Sequence, residues 1–370
     1  MSAPSRAAQA PVSALDCRAY RVPTDQPEAD GTLAWTSTVA VVVEVSAAGA
    51  VGTGWTYASA ACRTLIEEEL AEVVLGGEAL EITGLHEQMV RRCRNLGRPG
   101  IVSCAISAVD IALWDLKARL LGLPLANLFG RYREAVPVYG SGGFTTYDEA
   151  TFGRQLTGWM EQGITAMKLK IGESWGSKVA RDLSRVAFAR SVIGDRELYV
   201  DANGGYSRKQ AVRVGRRIVE EHDVVWFEEP VSSDDLEGLR EVRDQLTCDV
   251  AAGEYGYDEP YFARMLAAGA VDCLQIDVTR CGGYTSFLRA AALAAAHGLA
   301  VSAHCAPGLH APVAVGLPNL RHIEYFHDHA RLEALLFEGT LAVVDGTLTP
   351  DASVAGHGMA LRGDDEFRLG

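Results

Sequence analysis

From Ala135 onward the chain repeats one texture eight times: a short apolar, β-rich run, then a stretch of helical character. The runs are "AVPVYGSGG", "AMKLKIG", "ELYVDANGG", "VVWFEEP", "CDVAAGE", "CLQIDVT", "AVSAHCA" and "HIEYF", spaced by roughly 20 to 30 residues, the size of one βα unit. Strands that alternate with helices build a parallel sheet, and eight of them imply a closed barrel. An open doubly wound sheet is the competing architecture. Its nucleotide-binding form is weakened because no GxGxxG or GxxxxGK[ST] follows any of these runs.

In parallel barrels the chemistry sits at the C-terminal ends of the strands. Those ends carry, in order, Lys168 and Lys170, Asp201 with Asn203, Glu228 and Glu229, Glu254, Asp277, His304 and Glu324. Unpaired charge in a barrel interior is costly, so a full circuit of ionisable ends reads as a site. Asp201, Glu228 and Glu254 come from consecutive strands about 4.8 Å apart. Three converging carboxylates drive protonation unless a cation sits between them, and an all-oxygen set of this size suits Mg2+. The bland alternative is three helix-capping or loop carboxylates in solvent. Glu229 points away from Glu228, as a supporting carboxylate or plain structure.

His304 and Asp277 lie on neighbouring strands, where the aspartate would fix the imidazole tautomer; the alternative is a satisfied core histidine. His310 stands nearer that bland reading, and the remaining histidines have no comparable surroundings. Lys168 and Lys170 share one face of their strand. On the functional reading Lys168 and the metal depress the pKa of Lys170 until it accepts a proton. On the bland reading both amines are solvated.

An amine, an imidazole and a divalent cation between them match abstraction of a proton α to a carboxylate. Mg2+ on both oxygens of the resulting enediolate stabilises the developing charge. Lys168 adds positive charge to one oxygen, a protonated Glu324 donates a hydrogen bond to the other, and Lys170 and His304 face opposite sides of the α-carbon. Return of a proton by His304 to the opposite face gives an epimer. Protonation of a β-hydroxyl expels water and leads to a 2-keto acid.

Ahead of the barrel, residues 1–131 read as an α+β unit, with 1–14 as a loose tail lacking the apolar core of a secretion signal. Within it "TSTVAVVVEVSAAGAVGTGWTYAS" reads as two strands joined at "AAGA". Ile106, Val109, Leu113, Leu116 and Leu120 mark a helix stopped by Gly122 and Pro124. The barrel is placed at 132–330, and 331–370 returns to the first unit. A formal net charge of −14 argues against nucleic acid and anionic membranes as partners. No apolar run approaches a bilayer span. Eight scattered cysteines without a CxxC pair read as reduced thiols of a cytoplasmic protein.

On "KLK", "DAN", "FEEP", "AGE", "QIDVTRCGG", "SAHCAP" and "IEY", together with "AISAVDIALWDLKARLLGLPLANLFG", the chain resembles the enolase superfamily in its mandelate racemase subgroup. The resemblance runs from about Arg18 to the C-terminus. It implies an α+β capping domain on a modified TIM barrel, (β/α)7β, with Mg2+ as cofactor. It implies Lys170 and the His304–Asp277 dyad as acid and base, Asn203 as a substrate contact, and often a homo-oligomer, from dimer to octamer. Most of the subgroup dehydrate acid sugars. The stretch "VPTDQPEADGTLAWTST", which by resemblance closes over the site, is polar and acidic and suits hydroxyl-rich substrates. The expected reaction is therefore dehydration of an aldonate or aldarate to a 2-keto-3-deoxy acid. A 2-hydroxyacid racemase or epimerase is the alternative, and a non-catalytic barrel a remote one. Related dipeptide epimerases use a lysine where this chain has Asp277.

Overall fold

A run of β-branched side chains from Val39 to Val45 sets the first unit in the computed structural model, which describes residues 9–363 and 366–370. Strands β1 (Ala14–Ala29), β2 (Ala34–Ala47) and β3 (Ala50–Tyr57) pair antiparallel in that order. Ala48 and Gly49, both at positive φ, make the β2–β3 turn, the two-residue geometry that suits hairpin twist. Most of the polar stretch from Val22 to Thr38 is strand rather than loop: Glu28 pairs with Trp35 and Ala29 with Ala34. The result is a long hairpin whose tip is residues 30–33.

The helix Ile101–Leu120 is buried almost all round. Gly54 lets β3 press against it, since a Cβ there would lie 2.3 Å from Ala108 O. Two of its polar side chains face the barrel and are satisfied: Asp110 accepts from Thr285 N at 3.0 Å and Thr285 Oγ1 at 2.6 Å, and Ser107 Oγ accepts from Gly282 N at 2.8 Å. Paired buried polar groups of this kind fix orientation at little net cost.

All eight β-rich runs are strands: β4 (Val136–Gly142), β5 (Ala166–Lys170), β6 (Glu197–Asp201), β7 (Val224–Glu228), β8 (Asp249–Ala252), β9 (Cys273–Ile276), β10 (Ala300–Ala303) and β11 (Leu320–Phe326). Neighbours pair in parallel and β11 closes on β4 through Ile323↔Val138 to Phe326↔Ser141. The fold is the modified TIM barrel with a separate antiparallel capping unit. Asp148, Asp235 and Asp258 cap their helices by accepting backbone N–H groups, offsetting the unpaired donors of each first turn.

Inside the barrel the strands share one pattern. Tyr139, Tyr199, Trp226 and His322 form a buried aromatic layer, with centroids 5.4 Å apart for Tyr139–Tyr199 and 5.3 Å for Tyr199–Trp226. Two residues further on, hence one layer up on the same face, lie Ser141, Asp201, Glu228 and Glu324. The apolar floor therefore carries a polar storey above it.

Residues 9–14 are not a loose tail. Val12 is buried, its N–H donates to Gly77 O at 2.9 Å, and Ala10 N donates to Glu78 Oε2 at 3.0 Å. Residues 1–8 lie outside the described residues. At the other end Leu369 N donates to Ala19 O at 2.8 Å and Arg21 N to Phe367 O at 2.8 Å, so the last residues lie against β1. No helix among the described residues is long and apolar enough to cross a membrane.

Candidate active site

Asp201 and Glu228 end their strands as register partners, and Lys170 pairs with Asp201 on the other side. Glu254 follows Gly253, where a Cβ would sit 2.2 Å from Gln275 O at φ +133; only glycine turns the chain there. One oxygen from each of Asp201, Glu228 and Glu254 lies within 4.8 Å of the others, and all three residues are buried. Asp201 Oδ1 accepts from Asn203 N at 2.8 Å. Glu228 accepts from Lys168 and, at 3.0 Å, from Trp226 Nε1. Glu254 Oε1 accepts from Arg280 Nη1 at 3.1 Å, whereas Oε2 has no hydrogen bond.

The electrostatics match the crowding. Burial pushes the Glu228 carboxyl up to about 8 although Lys168 opposes it. At Glu254 burial also acts upward, but His304 and Arg280 outweigh it and hold the group well below the usual range. Three converging buried carboxylates, an all-oxygen set, fit a small hard divalent cation.

Lys168 Nζ lies 2.7 Å from Glu324 Oε1 and 3.6 Å from Asp201 Oδ2, and also bonds Glu228. It is fully buried over the Tyr139 ring at 5.3 Å. Lys168 is thus paired with three carboxylates at once. Lys170 Nζ donates to Asp201 Oδ2 at 2.5 Å. The depression expected of Lys170 rests on a cation among the three carboxylates; the protein groups around it act mainly upward. Burial and Lys168 lower its pKa, but the Asp201 carboxylate outweighs them and raises it. A cation held by Asp201 would compete with the ammonium for that oxygen.

Asp277 Oδ2 lies 2.8 Å from His304 Nδ1, and Asp277 Oδ1 accepts from Thr279 N and Oγ1, each at 2.7 Å. His304 Nε2 lies 3.2 Å from Glu254 Oε2 and 3.6 Å from Glu324 Oε2. Burial works against the imidazolium, yet the surrounding acids raise its pKa well above the ordinary histidine value. Glu324, expected to donate a hydrogen bond if protonated, is pulled toward the carboxylate form by its neighbours. Burial raises it, but Lys168 and His304 outweigh that and keep it a carboxylate. Ser141 Oγ donates to its Oε1 at 2.6 Å. It sits within β11 rather than at its end.

A cavity of about 310 Å³ opens above these groups, lined by Lys170, Asn203, Glu254 and His304 together with Asp30 and Trp35 of the hairpin. Thr145 Oγ1 donates to Asp30 O at 3.0 Å and Trp175 N to Gly31 O at 2.9 Å, clamping the tip on the barrel mouth. Asn203 holds φ 45 and its Oδ1 has no partner. Glu229 is buried with Oε1 unpartnered and faces a neighbouring cavity of about 480 Å³, which Asn203 also lines. His310 is structural: Nε2 accepts from Val278 N at 2.9 Å and Nδ1 donates to Cys305 O at 2.9 Å.

Sequence reasoning missed four groups here. Arg280 bridges Glu254 and, at 3.5 Å, Asp277; its place three residues after Asp277 was the available signal. Tyr57 and His329, stacked at 3.6 Å, and Cys305 line the cavity without any local sequence mark.

Two family models cover the chain: the mandelate racemase/muconate lactonizing enzyme N-terminal domain over residues 19–130, and the enolase C-terminal domain-like family over 151–366. The chain belongs to the mandelate racemase/muconate lactonizing enzyme family of the enolase superfamily. A solved member of that family from Rubrobacter xylanophilus is 47% identical and superposes with a TM-score of 0.92, covering 95% of this chain and 97% of its own. The 3,6-anhydro-alpha-L-galactonate cycloisomerase of Streptomyces coelicolor is 35% identical over 87% of this chain and 88% of its own length. The L-talarate/galactarate dehydratase of Salmonella typhimurium is 32% identical over 84% of this chain and 79% of its own. Its structure with Mg and L-lyxarohydroxamate gives a TM-score of 0.90, with 100% of this chain and 96% of that chain covered.

Proposed function

We propose that this family member removes the proton α to the carboxylate of an acid sugar and eliminates the β-hydroxyl as water, giving a 2-keto-3-deoxy acid. The observation that carries the reading is the placement of Lys170 and His304 in one cavity, beside a carboxylate trio that fits Mg2+. Asp201, Glu228 and Glu254 would hold the cation. When bound, Mg2+ supplies positive charge at the substrate carboxylate and so stabilises the carbanion character that follows proton loss.

Lys170 takes the α-proton in its neutral form, once Asp201 no longer holds it as an ammonium. His304 delivers a proton through Nε2 to the departing hydroxyl, with Asp277 fixing Nδ1 as the inward donor. Asn203 offers Oδ1 to a substrate hydroxyl. Lys168 and Glu324 set the charge behind the reacting end. Asp30, Ser37 and Thr38 give the hairpin wall polar groups suited to a polyol, and Trp35 gives it one flat apolar face. The dehydratases among the relatives, which act on galactarate, gluconate and arabinonate, support elimination over epimerisation.

Incubation with a panel of aldonates and aldarates plus Mg2+ tests the reading. Formation of a semicarbazide-reactive 2-keto acid supports it. Deuterium entering the α-carbon of an otherwise unchanged acid would replace it with racemisation.

A further inference from the structure

We propose a second, thiophilic metal site formed by His304, Cys305 and Glu324, which takes Zn2+ or a similar borderline-soft divalent ion and is distinct from the three-carboxylate site. The geometry is nearly complete. Cys305 Sγ lies 3.3 Å from His304 Nε2 and 3.4 Å from Glu324 Oε2, and those two atoms are 3.6 Å apart. A tetrahedral Zn2+ with bonds of about 2.0 to 2.3 Å places its N, S and O ligands about 3.4 to 3.6 Å from one another. The three edges of one tetrahedral face are therefore already in place.

Each ligand is also held from behind. Asp277 bonds Nδ1, the carboxylate–histidine arrangement that raises ligand basicity, so Nε2 is the nitrogen a metal would take, in exchange for its contact with Glu254 Oε2 at 3.2 Å. Lys168 and Ser141 occupy Glu324 Oε1, leaving Oε2 turned toward the sulfur. Cys305 adopts φ 53, which folds its side chain back onto the preceding ring, and its N–H donates to Glu324 Oε2 at 3.2 Å. His304 and Cys305 both line the cavity, so the ion has an entry path.

The donor sets sort the metals. Asp201, Glu228 and Glu254 offer oxygen alone and suit Mg2+, whereas thiolate plus imidazole selects ions later in the first-row series. On binding, the thiol gives its proton to solvent and the sulfur–metal bond forms with no change of oxidation state. Zn2+ on Nε2 occupies the position from which the imidazole would deliver its proton. The site thus links turnover to thiophilic metal supply, and its existence does not depend on which acid is the substrate.

The test is titration of the intact protein with CoCl2 in saturating Mg2+, watching the near-ultraviolet thiolate-to-cobalt charge-transfer band. One equivalent should develop the band, ZnCl2 should displace it, Cys305→Ala and Cys305→Ser should lack it, and Asp201→Asn should keep it. No band in the wild-type protein, or an unchanged band in both Cys305 variants, overturns the site without recourse to any assay of turnover. Loss of the band in folded Asp201→Asn would overturn its separateness from the Mg2+ site.

Discussion

Asp277 Oδ2 and His304 Nδ1 stand 2.8 Å apart in full burial, and this contact decides which imidazole nitrogen meets the cavity. Asp277→Asn removes the carboxylate that favours the imidazolium from which Nε2 delivers its proton, and presents an amide that can hold the neutral ring in the other tautomer. Activity should fall by about three to four orders of magnitude while the circular dichroism spectrum and melting temperature stay near wild type. A loss under tenfold would show that the contact does not orient the ring.

Lys170 has one carboxylate partner, Asp201 at 2.5 Å, and an open side toward the cavity. Lys170→Ala should lower turnover by about two to four orders of magnitude and abolish exchange of the substrate α-proton with deuterated solvent. Exchange that persists at the wild-type rate would assign the base elsewhere.

Arg280 touches two groups at once, Glu254 Oε1 at 3.1 Å and Asp277 Oδ2 at 3.5 Å. Arg280→Gln should weaken Mg2+ binding by about 10 to 100-fold, the usual cost of losing a group that orients a metal ligand. Metal titration of chelator-stripped protein reads this directly. Activity should vanish in EDTA and return with Mg2+ for both proteins, at higher Mg2+ for the variant.

Gly31 sits at the hairpin tip with no room for a side chain, since a Cβ would lie 2.6 Å from both Ala202 O and Ile171 O. Gly31→Ala should lift the tip from the barrel mouth and lower kcat/KM on the order of a hundredfold, with little effect on the melting temperature. Unchanged kinetics would mean that the tip does not need its present seat.

Glu333 lies apart from the site, buried, with its carboxylate accepting from Gly308 N at 3.0 Å. Burial pushes its carboxyl up to about 8, against the opposing effect of that hydrogen bond. The unfolded chain releases this proton near its ordinary value of about 4.5, whereas the folded chain keeps it to about 8. Between those values the native state binds more protons, so the group's contribution to stability falls as pH rises through the window. Glu333→Gln cannot ionise. Its melting temperature relative to wild type should therefore climb between about pH 5 and pH 9; a flat difference would contradict a proton held in the native state.

The barrel was legible because each βα unit announces itself locally, and the charged strand ends were legible because burial makes charge expensive there. Asp201, Glu228 and Glu254 needed only strand order to be brought together. Arg280, Cys305 and His329 did not show, since their importance arises from what a loop turns them toward. The carboxylate partners of Lys168 and Lys170 were not legible for a related reason. Sequence order places the two lysines side by side but does not reveal that Asp201 claims one and Glu228 with Glu324 the other. Residues 9–14 read as tail because their partners, Gly77 and Glu78, lie far along the chain.

The aromatic layer of Tyr139, Tyr199, Trp226 and His322 fills the barrel interior below the site, and the cavity above it is walled by the hairpin tip. Admission is thereby governed by an early stretch of chain, and bond breaking by later ones that never meet it in sequence. Lineages built this way can trade doorkeepers while the workshop behind stays as it was.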